Sequence, residues 1–430
     1  MTKTVLLACH DCGQIHRVES AVTARFRLTC SRCGGALSRV LHGGFDRPLA
    51  YAVAALVLFL LANMYPIFVT ELEGSVRENF LLTGPQQLVH YGGGLAVLGV
   101  AVALLSIVVP GLRLALIIGV LARLRVEQLT GPRLRPQLVG YGPSRPRLAA
   151  AWKAALGLRQ WSMLDVYLLG AFVAYTRLHG YVGTSVSVGG YALGALVMTQ
   201  SLLQLSLGRR RVWDAIEDPE PHAPEPGRPW VMCHDCQLVL PADAAATGAT
   251  PPRCPRCAGR LEPRRPASLQ IAAALTLAAY ILYLPANLLP VMRLIRFGYD
   301  QTNTILSGVE ELAQLGMWPL ALLVLFASIV VPVLKLVSLS WFLLAIRRRS
   351  GRFLRQRTRL YRLIDFVGRW SYIDIFMISI LVALMRYGTL TTVEPGTGAV
   401  SFAAVVGLTM FATIFFDPRL MWDAARGRVR

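Results

Sequence analysis

Long apolar blocks alternate with polar, charge-rich stretches along this chain. Four blocks occupy residues 49–69, 94–122, 165–182 and 186–207; four more occupy 269–292, 317–346, 373–390 and 399–416. At about 1.5 Å of rise per helical residue, blocks of ~20 residues reach across a hydrocarbon layer. They are apolar on all faces, without the one-sided stripe of a soluble amphipathic helix. The pattern predicts eight transmembrane helices in an all-α polytopic membrane protein. Composition agrees: 54% of the 430 residues are hydrophobic, and the mean hydropathy is +0.50.

The polar stretches repeat as well. Cys9-His-Asp-Cys12 and Cys30-Ser-Arg-Cys33 precede the first four blocks. Cys233-His-Asp-Cys236 and Cys254-Pro-Arg-Cys257 precede the second four, each cysteine 224 positions after its counterpart. Asn63 and Pro66 answer to Asn287 and Pro290; Gly84, Leu88 and Gly92 answer to Gly308, Leu312 and Gly316. Ser106-Ile-Val-Val-Pro-Gly-Leu-Arg113 answers to Ser328-Ile-Val-Val-Pro-Val-Leu-Lys335, and Trp161-Ser-Met-Leu-Asp165 to Trp370-Ser-Tyr-Ile-Asp374. An arginine stands twelve residues beyond each of those aspartates, at Arg177 and Arg386. The expected architecture is a tandem duplication of a four-cysteine ribbon followed by four spans. Its units are ribbon 1 (1–45), a helical module (46–208), a Pro-rich linker (209–229), ribbon 2 (230–262), a second module (263–418) and a basic tail (419–430).

The net charge is +20, from 44 basic and 24 acidic residues. In a soluble chain that balance points to nucleic acid. Here the basic residues gather between the blocks, eight of them from Arg123 to Arg159 and nine from Arg347 to Arg369. The positive-inside rule puts those loops, both ribbons and both termini in the cytoplasm and leaves no nucleic-acid partner. The N-terminal residues carry no apolar signal-peptide core before the first cysteine pair, so the thiols are expected in a reducing compartment.

Seventeen residues separate the two CxxC pairs of each ribbon, a spacing suited to tetrahedral zinc. Four thiolates leave no open coordination position, so two structural zinc ions are expected. Redox dithiols or disulfides are the alternative. His10 reads as a neighbour of the site and not a ligand.

A lysine near the middle of an apolar block costs roughly 2.5–3.5 kcal/mol to insert, so Lys335 is expected to face a polar partner or cavity. Ser328 lies seven residues earlier on the same helical face. Pro332 has no N–H and leaves the Ser328 carbonyl without its helical donor. Lysine titrates and arginine does not, so Lys335 in place of Arg113 makes the second half the candidate coupling site. The alternative is a lysine that locks helix packing. Asp165 and Asp374 open their spans, either as helix N-terminal carboxylates or as counter-ions to Arg113 and Lys335. Thr409 and Thr413 either back-bond to their own helix or extend the cluster around Ser106, Ser328 and Lys335. Arg177 and Arg386 fit snorkelling or phospholipid headgroup contact. Asn63 and Asn287 suit freed backbone groups ahead of their prolines.

The paired CxxC ribbons, N-x-x-P, S-I-V-V-P-x-x-K, W-S-x-x-D and Phe416-Asp-Pro-Arg-Leu-Met-Trp-Asp423 together resemble the paraquat-inducible protein A family (PqiA/LetA-type). The resemblance implies an inner-membrane component of intermembrane lipid transport in Gram-negative bacteria. It also implies phospholipid substrates and a periplasmic MCE-domain tunnel partner. No HExxH, nucleophile elbow or Walker A sequence is present, so an enzyme is not expected. The competing reading is a scaffold that anchors a periplasmic protein without transporting.

Overall fold

The computed structural model describes residues 4–19, 28–38, 44–72, 75–138, 144–178, 183–217, 230–241, 252–296, 299–384 and 391–427. Arg386 and most of the expected linker lie outside these residues.

The described residues of the two halves run through similar element orders, the second with one ribbon hairpin where the first has two. Hairpin strands β1 (Thr4–Ala8) with β2 (Ile15–Glu19), and β3 (Leu28–Thr29) with β4 (Ala36–Ser38), build the first ribbon. Helix α1 (Asp46–Met64) leads into β5 (Phe68–Leu72) and β6 (Ser75–Asn79), then α2 (Thr83–His90). A long broken helix follows: α3 (Gly93–Ala103), a π-helical turn at Leu104–Val108, and α4 (Val109–Leu138). The half closes with α5 (Ser144–Gly157), α6 (Leu164–Leu178), β7 (Gly183–Val186), α7 (Val188–Ser206) and α8 (Arg209–Ile216).

The second half repeats this with β8 (Trp230–Met232), β9 (Val239–Pro241), α9 (Ser268–Leu288), β10 (Met292–Arg296), β11 (Tyr299–Asn303) and α10 (Ile305–Gln314). Its broken helix is α11 (Trp318–Leu325), a π-helical turn at Phe326–Val330 and α12 (Val331–Arg347). Then come α13 (Leu354–Val367), a 3-10 turn at Gly368–Tyr372, α14 (Ile373–Leu384), β12 (Thr391–Pro395), α15 (Thr397–Phe415) and α16 (Arg419–Ala424).

Seven of these stretches are long and apolar enough to cross a membrane: Asp46–Met64, Gly93–Leu129, Val188–Ser206, Ser268–Leu288, Trp318–Arg347, Leu354–Leu384 and Thr397–Phe415. The protein is a multi-pass membrane protein. Helix α6, with 15 residues, falls short of that length. It packs along α14, which is buried at every position. Gly170 brings the two backbones together, because a side chain there would begin 3.1 Å from Phe376 Cβ and 3.2 Å from the Ile373 carbonyl. Tyr167 and Phe376 meet edge-on at 5.4 Å. A helix walled in by protein need not match the full lipid thickness.

Two antiparallel sheets, with strand orders β6-β5-β7 and β11-β10-β12, qualify the all-α expectation; the sequence offers Met292-Arg-Leu-Ile-Arg-Phe as a short strand only on weak alternation. Thr70 pairs with Thr184 and Arg293 with Glu394, so each sheet ties the loop after a half's first helix to the loop before its last. Runs of five residues carry little alternation, and the pairing partners lie far apart in sequence. The sheets and the ribbons occupy opposite ends of the helices.

The N-x-x-P sequences are helix stops. Tyr65 and Leu289, each just before its proline, turn extended as pre-proline residues do. The Asn63 and Asn287 carboxamides back-bond to the carbonyls of Phe59 (2.7 Å) and Tyr283 (2.8 Å).

Candidate functional site

The two S-I-V-V-P segments form the π-helical turns. In each, the N–H just before the proline reaches five residues back, Val109 to Leu104 and Val331 to Phe326. The proline has no N–H to continue the ladder, which opens the next carbonyl to an outside donor. In the first half Met163, from the W-S-x-x-D turn, donates its N–H to the Leu105 carbonyl at 3.4 Å. The two repeated motifs therefore meet in space. The serine hydroxyls are spent on their own helices, Ser106 on Val102 (2.7 Å) and Ser328 on Val324 (2.6 Å).

Lys335 is 1% exposed. Its Nζ donates to the Gly368 carbonyl at 2.8 Å and lies 3.5 Å from Thr409 Oγ1. Thr409 back-bonds to Val406 (3.0 Å) and Thr413 to Thr409 (2.8 Å), so Thr409 serves both its own helix and the amine. Asp374 is 5% exposed, and neither carboxylate oxygen has a hydrogen-bond partner among the described residues. Its neighbours are the Ser328 side chain and, across the half boundary, the Arg177 guanidinium. The counter-ion expectation thus fails for Lys335: the amine takes a carbonyl and a hydroxyl, and Asp374 stays apart. The Ser371 and Ser379 hydroxyls are also buried without partners among the described residues, Ser379 against Gly84 of the other half. Unpaired polar atoms in an apolar interior are costly.

The first half differs. Arg113 is 5% exposed with its Nε unpartnered among the described residues, and it lies in the field of Arg159, Arg369 and Asp165. Asp165 makes its contact ion pair with Arg369 of the other half, at 3.8 Å. Arg177 lies in the field of Asp374 and Glu311 and passes beside Gly308.

The eight cysteines form two buried clusters, each with all four sulfurs within 4.8 Å of one another. Cys9–Cys33 and Cys12–Cys30 sulfurs lie 3.4 and 3.6 Å apart; Cys233–Cys257 and Cys236–Cys254 lie 3.5 and 3.6 Å apart. Tetrahedral coordination at 2.3 Å puts sulfurs about 3.8 Å apart, so the donor set fits a thiophilic metal ion. A hydrogen bond from Cys12 outweighs burial and lowers the Cys9 thiol to about 5; bonds from Cys236, Cys254 and Cys257 likewise lower Cys233. The same contacts raise Cys12, Cys236 and Cys257, and burial raises Cys33, so within each cluster some thiols give up a proton readily and others hold it.

The family model described as Paraquat-inducible protein A matches residues 45–217 and again 269–426. The chain is 34% identical over 407 residues to the Intermembrane transport protein PqiA of Escherichia coli K12, covering 92% of this chain and 91% of that protein. The chain belongs to the paraquat-inducible protein A family. The two family matches cover the helical modules and leave both cysteine clusters outside them. A second relative, the Lipophilic envelope-spanning tunnel protein A of Escherichia coli K12, is 35% identical over 62% of this chain and 61% of that one. The Probable intermembrane transport protein of Haemophilus influenzae is 25% identical over 97% and 95%. These relatives are named as transport proteins, not enzymes. No solved structure matches.

Two residues of this family member escaped the sequence reading. His16, not His10, touches a cluster, with Nε2 3.3 Å from Cys30 Sγ. Gln200 is buried with its Nε2 unpartnered among the described residues. It stands thirteen residues before Trp213, as Thr409 stands thirteen before Trp422, so the internal alignment carried the signal.

Proposed function

We propose that this protein is the inner-membrane component of an intermembrane lipid transport system, moving phospholipid-like substrates towards a periplasmic MCE-domain tunnel protein. The observation that carries the reading is the buried polar seam, Lys335, Thr409, Ser328 and Asp374, set within helices whose outer faces meet lipid. A charge at that depth is expensive, and a pathway or relay is the reading we take over a packing lock. Relatives named for intermembrane transport and for an envelope-spanning tunnel support the same direction.

In this reading the chain is a tandem duplication with eight spans, α6 completing the count, and unit boundaries as the sequence suggests. The ribbons, both termini and the basic loops lie in the cytoplasm, and the two sheets face the periplasmic partner. Each cysteine cluster holds a structural zinc. Lys335 takes up and releases the proton that drives transport, with Asp374 and Ser328 beside its path, while Arg113 and Asp165 hold the other half in one state.

A second reading, a scaffold without transport, draws support from the completeness of the Lys335 contacts to Gly368 and Thr409, which also suit a packing lock. Mass spectrometry of lipid carried by the purified protein, with zinc stoichiometry, separates the two. Transport calls for about two zinc ions and retained phospholipid that seam variants lose. A protein without lipid, and indifferent to those variants, is a scaffold.

A further inference from the structure

Each ribbon docks on the other half's helices. Arg362 of α13 donates from Nε to Asp11 at 2.7 Å, and from Nη2 to the Cys33 carbonyl at 3.2 Å and Cys33 Sγ at 3.1 Å. Two turns earlier, Arg355 donates to the Arg32 carbonyl at 2.8 Å. The Arg32 guanidinium in turn lies 4.1 Å from the centre of the Trp422 ring. Cys9, Cys12, Cys30 and Cys33 share one buried cluster with Phe342, Ile364, Phe416 and Trp422, all second-half residues.

The second ribbon repeats these contacts on the first half. Lys153 of α5 pairs with Asp235 at 2.5 Å, Arg209 of α8 donates to the Asp235 carbonyl at 2.6 Å, and Arg256 pairs with Asp214. The correspondence is positional. Lys153 stands twelve residues before Asp165, as Arg362 stands twelve before Asp374, and Asp235 sits inside its CxxC turn as Asp11 does. One contact does not cross: the buried Arg419 donates to His234 of its own half at 2.6 Å.

Ribbon hairpins of two to five residues bury too little to stand without a cross-link, so their shape depends on metal. The helix they grip is connected to the seam. Six residues separate Arg362 from Gly368, about 9 Å of helix, and the Gly368 carbonyl is the acceptor for Lys335.

We propose that metal loading of each cysteine cluster is transmitted to the opposite transmembrane half, with Arg362 as the positioning residue that ties the first cluster to α13 and the Gly368–Lys335 contact. This rests on the metal reading of the clusters, not on transport.

Hydrogen exchange on the full-length, zinc-loaded protein in nanodiscs tests it. Cys9→Ser with Cys12→Ser is expected to speed exchange across 354–367 by about tenfold while 144–157 stays within roughly twofold. Cys233→Ser with Cys236→Ser is expected to do the reverse. Arg362→Ala should loosen 354–367 with zinc content unchanged, and Arg362→Lys, which keeps the Asp11 pair, should restore part of the protection. Loosening on the same side as the lost cluster, or equally on both sides, overturns the proposal. Should a cysteine variant fail to fold, chelation of the wild-type chain empties both clusters and is expected to loosen both 354–367 and 144–157, with zinc readdition restoring them; the one-sided criterion belongs to the cysteine variants. No change at 354–367 in either experiment also overturns it.

Discussion

The ammonium of Lys335 reaches the Gly368 carbonyl because residue 368 has no side chain. A Cβ there would lie 2.8 Å from Lys335 Cε and 3.2 Å from Nζ. Gly368→Ala is therefore expected to displace the amine, and Lys335→Ala to strand the carbonyl in an apolar interior at a cost of ~1–3 kcal/mol. Both should abolish transport-dependent envelope integrity at normal expression and zinc content. Full complementation by Lys335→Ala would remove the lysine from the mechanism.

Contact between the halves sets a second expectation. A Cβ at Gly84 would meet the Ser379 carbonyl at 2.5 Å and its Oγ at 2.6 Å, and backbone there has nowhere to retreat. Gly84→Ala should cost ~1–3 kcal/mol through overpacking. Gly119, inside α4, has nothing within 4 Å. Gly119→Ala should be neutral or stabilising by up to ~1 kcal/mol, because alanine is the better helix former. Thermal unfolding in detergent checks both; equal effects would mean α2 does not press on α14.

The ribbons differ in backbone strain. The turn after each CxxC needs a left-handed residue: Gly13 (φ 69°) and Gly34 (φ 71°) supply it in the first ribbon, Gln237 (φ 63°) and Ala258 (φ 53°) in the second. A residue with a Cβ pays ~1–2 kcal/mol in that conformation. Gln237→Gly should slow metal loss from the second cluster to a competing chelator by about fivefold, equivalent to ~1 kcal/mol. Unchanged or faster release would place the limiting step elsewhere.

What the sequence made legible was whatever repeats in register. The cysteine spacing located both clusters, and the serine–proline segments and tryptophan–aspartate turns marked elements that meet in the fold. Three-dimensional pairing was not legible. Arg362 and Asp11 are 351 residues apart, and no local pattern chooses between the near ribbon and the far one. Helix faces were equally silent, since lipid and protein neighbours both accept apolar side chains and leave little periodicity. The π-helical turns were half visible: Pro332 announced a break, but a wide turn is one of several ways to make it.

Acid sensitivity follows from Asp417. Burial alone would raise its pKa, but the hydrogen bonds and charge of Arg419 outweigh it and hold the carboxyl below its ordinary value. Arg419 donates to it from Nε at 2.9 Å and Nη2 at 2.8 Å. A depressed folded-state pKa contributes stability in full above the unfolded value of 3.8 and loses it as pH falls through the folded one. Wild type should therefore shed stability below pH ~4. Asp417→Asn should lack that limb and be weaker by about 3–5 kcal/mol near neutral pH, because the buried Arg419 loses its carboxylate, with the gap closing as pH falls towards ~3. Parallel melting curves from pH 3 to 7 for the two proteins would contradict this.

Asp374 yields the opposite sign, and that sign discriminates between roles. A buried carboxylate held for packing is bonded, and its removal destabilises. Neither Asp374 oxygen makes a hydrogen bond among the described residues; the Ser328 hydroxyl beside it is committed to Val324, and the Arg177 charge acts on it without one. Such a group costs stability in the resting fold, a cost that function explains and packing does not. Asp374→Asn is therefore expected to raise the apparent melting temperature, by roughly 2–4 °C for each kcal/mol regained, while transport is lost. A lower melting temperature with transport retained would assign the residue to helix packing and move the working part of the seam to Lys335 and Thr409 alone.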